Sequence, residues 1–173
     1  MSLTILRPLI YVLPAYIANC TPVFVGGGPP LDFGRNFIDG KRIFGDNKTI
    51  RGLIGGIFLG TLIGFILPLL FPLVHLPTLT FSDALLLALL LSLGTHAGDL
   101  FGSFIKRRLN MKPGAPAPIL DQLGFLIFAL AFALPFFPYL TLMEIIVVVV
   151  ITLIIHPLSN LIAYILKLKD KPW

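Results

Sequence analysis

The stretch Ala84–Arg108, ALLLALLLSLGTHAGDLFGSFIKRR, decides how the chain is read. It opens on an unbroken apolar run, Ala84–Leu91, and ends on Lys106, Arg107 and Arg108. Between them stand Ser92, Thr95, His96, Asp99 and Ser103. At 3.6 residues per turn, Ser92, His96, Asp99, Ser103 and Lys106 share an arc of about 80°. A bilayer-crossing helix needs ~20 apolar residues, and one that carries such a stripe must turn it toward protein or a water-filled cavity. A carboxylate in hydrocarbon costs roughly 2.5–3.5 kcal/mol even on the lenient insertion scale, so Asp99 marks a functional site. The competing explanation is a buried ion pair of Asp99 with a base such as Lys106.

The rest of the chain agrees with a membrane reading. Of 173 residues 57% are hydrophobic and 12% charged, with a mean hydropathy of +0.96. Soluble domains carry about 25% charged residues, and disordered segments carry little apolar surface. One cysteine, Cys20, excludes an internal disulfide and a cysteine-based metal site. Five apolar stretches emerge: Thr4–Val25, Gly52–Val74, Ala84–Ile105, Ile119–Tyr139 and Ile145–Leu166. The first has no basic region ahead of it and is interrupted by Pro8 and Pro14, which predicts a broken helix rather than a secretory signal.

The connections alternate in charge. Segments 26–51 and 106–118 and the tail hold all the lysines and arginines except Arg7, which is 12 of 13. The positive-inside rule then puts both loops and the C-terminus in the cytoplasm and the N-terminus outside. The expectation is an all-α integral membrane protein: one catalytic domain, 1–173, with five spans in the cell membrane. The net charge of +5 belongs to this asymmetry and not to a nucleic-acid partner.

Several features have simple readings. Gly52, Gly56, Gly60 and Gly64 form a small-residue stripe for internal helix packing, with a homodimer face as the alternative. Gly26–Pro30 is a hinge and no P-loop, because no Gly-Lys-Ser/Thr follows. His75 is incidental at the outer interface, Glu144 is a solvated outer-rim acid, and His156 is a packing residue.

The cytoplasmic inventory points to phosphate chemistry. Asp121 and Gln122 open the fourth span and put a second carboxylate near the depth of Asp99. The basic cluster adds Lys112, the first loop adds Asn47, Lys48, Thr49 and Arg51, and the first span adds Asn19 near its cytoplasmic end. Carboxylates suit Mg²⁺, which keeps waters and shares substrate phosphates. Lysine and arginine suit phosphate oxygens. Together these describe a metal–polyphosphate site, with two Mg²⁺ ions as the working number. Its membrane setting makes a lipid phosphate the second substrate.

The run Gly98–Arg107, followed by Lys112 and by Ile119-Leu120-Asp121-Gln122, resembles the signature of the CTP-dependent phosphatidate cytidylyltransferases. Lys48-Thr49-Ile50-Arg51-Gly52 is similar to that family's lysine–threonine segment ahead of a glycine-rich helix. The short chain looks most like the archaeal branch, the CDP-archaeol synthases. The resemblance implies transfer of CMP from CTP to an unsaturated diether glycerol phosphate. It makes Asp99 and Asp121 the Mg²⁺ ligands, with Lys106 also in the catalytic set. Lys48, Thr49, Arg51, Ser103, Arg107, Arg108, Lys112, Gln122, Asn19 and Asn47 would serve CTP and phosphate. This chain departs from the bacterial pattern at Pro113 and Gly124, where that pattern has acids, so the number of metal ligands does not carry over. The rivals are the same transfer to an ester lipid and a small cation or proton transporter using Asp99 and His156.

Overall fold

A computed structural model describes residues 2–112, 114–136, 139–168 and 171. Pro113, the end of the expected fourth span at 137–138, and Lys169 in the tail lie outside them. The described chain is helical, with two isolated β-bridges and no longer strand pairing among the described residues.

The helices are α1 (Ser2–Tyr11), α2 (Leu13–Val25), α3 (Ile50–Leu62), α4 (Leu67–Leu73), α5 (Phe81–Arg108), α6 (Pro118–Phe132) and α7 (Leu142–Ile165). The stretch that opened the reading becomes α5, 28 residues long. At 1.5 Å per residue it spans about 42 Å, more than the ~30 Å hydrocarbon core, so its basic end clears the apolar layer. Thr80 starts it by accepting the Asp83 amide.

Two small-residue contacts hold α5 at the centre. On one side its Gly94 and Gly98 lie so close to the α6 backbone that a Cβ would overlap the carbonyls of Phe128 and Gly124. On the other side the α3 glycines receive α5's polar stripe. A Cβ on Gly56 would overlap the His96 ring, and one on Gly60 would overlap the Ser92 hydroxyl. Gly52, Gly56 and Gly60 of α3 and Gly64 in the 3₁₀ turn that follows it are all buried within one chain. The stripe therefore packs helices internally, and that face is not available to a second copy.

The first expected span is broken as its prolines predict: α1 and α2 meet at 56° around Val12, and Pro14 opens the second piece. The second expected span is also broken, at Ile66, with α3 and α4 again bent by 56°. Pro68 lacks the N–H that a continuous helix would donate, and Gly64 presses on α5 with a Cβ position 2.8 Å from Leu85 Cα. By length and composition α5 and α7 each suffice to cross a membrane, and the two bent pairs raise the number to four. At 15 residues α6 is short. The chain is an all-helical, membrane-embedded protein.

One expectation is overturned here. Glu144 is not solvated: it is 3% exposed. It forms a capping box with Thr141 and pairs with Arg7 Nε at 3.1 Å. The pattern Thr-x-x-Glu signals the cap, whereas the partner comes from α1, far away in sequence. Among the described residues the apolar core, with Tyr11 stacked on Phe71, draws buried side chains from α1, α2, α4, α5, α6 and α7. The polar groups gather at the opposite, basic end of α5.

Candidate active site

The first loop is built before it can deliver anything. Its organiser is Asp32, 4% exposed, whose carboxylate accepts the amides of Gly34, Phe44 and Gly45 at 2.9–3.1 Å and the Arg42 guanidinium at 2.7 Å. Burial alone would push this carboxyl up, but the Arg42 bond and the three amides override it and hold it well below the usual carboxylate range. Arg42 is raised in return, first by its bond to Asp32. Gly27 and Gly28, at φ +97° and +80°, make the expected hinge, and Leu31 N donates to the Lys48 carbonyl at 2.6 Å.

That folded loop brings Lys48 to α5. Its Nζ lies 2.6 Å from both oxygens of Asp99. Next to it, Thr49 caps α3 by accepting the Gly52 amide at 3.1 Å. A small cleft of about 40 Å³ lies between them, bounded by Asn47, Lys48, Thr49, His96 and Asp99. Its size suits water-scale occupants.

A second pair lies one helix away. Lys106 Nζ donates to Asp121 Oδ1 at 2.7 Å, and Asp121 Oδ2 accepts the Ala117 amide at 2.9 Å, tying the start of α6. The two acids are thus each neutralised by a lysine. Asp99 is paired, with Lys48 and not with Lys106 as its partner.

The remaining candidates divide. Arg107 is buried and donates to the Lys112 carbonyl at 3.0 Å, which folds the second loop back on α5. Arg108 is a latch: it pairs with Asp39 at 2.7 Å, donates to the carbonyls of Lys41 and Arg42, and lies over the rings of Phe37 and Phe104. Ser103 is buried on the stripe, Gln122 stands in the first turn of α6, and the Lys112 side chain is exposed. Asn19 sits part-buried on α2. Arg51 is exposed on α3, turned away from the cleft. On α7, Thr152 bonds Tyr16 at 2.7 Å and His156 stacks on Phe125, a packing role as expected.

Among the described residues no three His, Cys, Asp or Glu side chains cluster to hold a metal alone. Asp99 on α5 and Asp121 on the packed helix α6 supply carboxylates of the kind a hard cation takes when water and substrate phosphate complete its shell.

The CarS-like CDP-archaeol synthase family model matches residues 1–173. The chain is similar to the CDP-archaeol synthase of Pyrococcus furiosus, 52% identical over 169 residues that cover 98% of each chain. It is 48% identical over 169 residues to that of Methanocaldococcus jannaschii, covering 95% of each. A solved structure described as an intramembrane enzyme for archaeal membrane lipids biosynthesis is 38% identical, with a TM-score of 0.79 over 90% of this chain and 94% of that one.

Proposed function

The chain belongs to the CDP-archaeol synthase family, and from that premise we propose how its paired charges carry out the synthesis. The enzyme moves CMP from CTP to 2,3-bis-(O-geranylgeranyl)-glycerol 1-phosphate, giving CDP-archaeol and pyrophosphate. An oxygen of the lipid phosphate attacks the α-phosphorus of CTP while the bond to the β-phosphate oxygen breaks. The attacking oxygen is already ionised at neutral pH, so no side-chain nucleophile or strong base is needed.

The single observation that carries this reading is the double lysine–carboxylate arrangement, Lys48 with Asp99 and Lys106 with Asp121. Asp99 and Asp121 would hold Mg²⁺, which supplies electrostatic stabilisation between triphosphate and lipid phosphate. Lys48 and Lys106, which hold these acids, would be free to meet phosphate oxygens with the metal in place and would offset the charge on the leaving pyrophosphate. The Asp32-built loop fixes the reach of Lys48, and the Arg108 latch fixes that loop to α5.

The distribution of basic residues supports five crossings of the cell membrane, with the N-terminus outside and the site facing the cytoplasm. The decisive assay uses purified protein in liposomes with α-labelled CTP, Mg²⁺ and the diether glycerol phosphate. Label should enter the lipid fraction with matching release of pyrophosphate. Metal-dependent cation flux without CMP transfer would favour the transporter instead.

A further inference from the structure

The outer side of α3 carries a feature that the nucleotide chemistry does not use. A groove of about 580 Å³ runs between the end of α2 and α3, within the ~300–1,000 Å³ range of small-molecule sites. Val25, Ile50, Ile54, Phe58 and Leu59 line it, and its one charged residue is Arg51. Ile54 and Phe58 are 62% and 60% exposed, so the groove is open to the surrounding lipid. Its floor exists because position 55 is glycine: a Cβ there would meet Val25 Cγ2 at 2.6 Å.

Arg51 differs from the lysines of the active site. Among the described residues Lys48 and Lys106 each hold an acid, whereas no ion pair involves Arg51. Its place in sequence is equally telling. The first turns of α3 send Thr49, Gly52 and Leu53 into the polar cleft beside Asp99, and Ile50, Arg51, Ile54 and Gly55 into the groove. One helix end therefore separates a polar cleft from an apolar groove, with an unpaired guanidinium at the groove's polar end. An apolar trough headed by a cation complements an amphiphile with an anionic head, and its nearness to Asp99 selects the reacting one.

Resting on the cytidylyl-transfer reading, we propose that the α2–α3 groove seats a hydrocarbon chain of the lipid phosphate substrate and that Arg51 binds its phosphate, bidentately where geometry allows, before transfer. Arg51 then belongs to the lipid, while Lys48 and Lys106 belong to CTP.

A diether glycerol phosphate bearing a photoactivatable group in its chain tests this without turnover. Irradiated with the whole protein and no CTP, it should label the α3 peptide containing Ile54 and Phe58. Labelling spread over the lipid-facing side of α7 would overturn the proposal. Kinetics give a second arm. Arg51→Ala should raise KM for the lipid phosphate by about tenfold, the scale of one charge-assisted contact, and leave KM for CTP unchanged. Arg51→Lys should recover part of the loss. Ile54→Trp, at an exposed position that the fold tolerates, should raise the lipid KM alone by filling the groove. A rise in KM for CTP with the lipid KM unchanged would return Arg51 to the nucleotide and defeat the assignment, although cytidylyl transfer would stand. Labelling of α3 with no CMP transfer by the unaltered protein would sink the reaction reading and keep the groove.

Discussion

Asp99 is held by a base 51 residues away in sequence, and this pairing determines what its loss should do. Asp99→Asn keeps the shape of the side chain and removes the charge that would bind metal. Removing one preorganised electrostatic group at a reacting centre typically costs 10²–10³ in kcat, so turnover should fall by about that factor. The thermal midpoint should move little, because the Asp99 side chain is 34% exposed and water can take over the freed ammonium. Steady-state kinetics and a melting curve on the same preparation check both halves. Near-normal turnover would remove Asp99 from the site. Asp99 was legible because a carboxylate inside an apolar helix has few cheap explanations. Its partner was not, since a loop lysine advertises only a solvated charge until the fold brings it in. Glu144 shows the same blindness: its cap could be read locally, but Arg7 could not.

At the scale of elements, α5 carries two functions on opposite faces. The polar stripe was readable from helical period, since its residues stand out against leucine. Gly94 and Gly98 were hidden in the same run, because glycines beside a conspicuous polar pattern look like spacers until α6 is seen lying on them. The bend at Ile66 is not foreseen in the reading of Gly52–Val74 as one span: the close approach of Gly64 to α5 beside Pro68 shows only in the fold. The first loop behaves as an element too, folded around Asp32. Its carboxyl lies lower in the fold than the ~3.9 of an unfolded chain, so its ionised form stabilises the native state above that pH. The contribution shrinks as pH falls from that value toward the lower native one. Asp32→Asn should therefore lower stability at pH 7 by about 1–3 kcal/mol, with the deficit narrowing below about pH 4. Apparent melting midpoints in detergent at pH 7 and at a pH about one and a half units below the ~3.9 of the unfolded carboxyl give the comparison. An equal gap at both would mean that the carboxylate's charge does not hold the loop.

For the whole molecule, charge asymmetry carried more of the reading than any single helix. Membrane class is legible in composition and apolar runs, and the expected orientation rests on where 12 of 13 basic residues fall, whereas the number of crossings depends on α6. Its 15 residues make about 22 Å of helix, short of the ~30 Å hydrocarbon core. The 3₁₀ turn Leu134–Phe136 must supply further depth if the segment crosses. The lone cysteine makes this testable. On a Cys20→Ser background, cysteines can be placed at three exposed positions: Ile38 in the first loop, Thr78 before α5 and Leu142 at the start of α7. Five crossings predict that a membrane-impermeant maleimide labels Ile38→Cys only in inside-out vesicles, and Thr78→Cys and Leu142→Cys only in right-side-out ones. Labelling of Leu142→Cys together with Ile38→Cys would make α6 re-entrant and return α7 to the cytoplasmic side. Arg7, at the outer end of the first span, and Glu144 would then lie on opposite sides of the membrane and could not form the 3.1 Å pair that the fold gives them, and the positive-inside argument would fail for the end of the chain that it was supposed to orient.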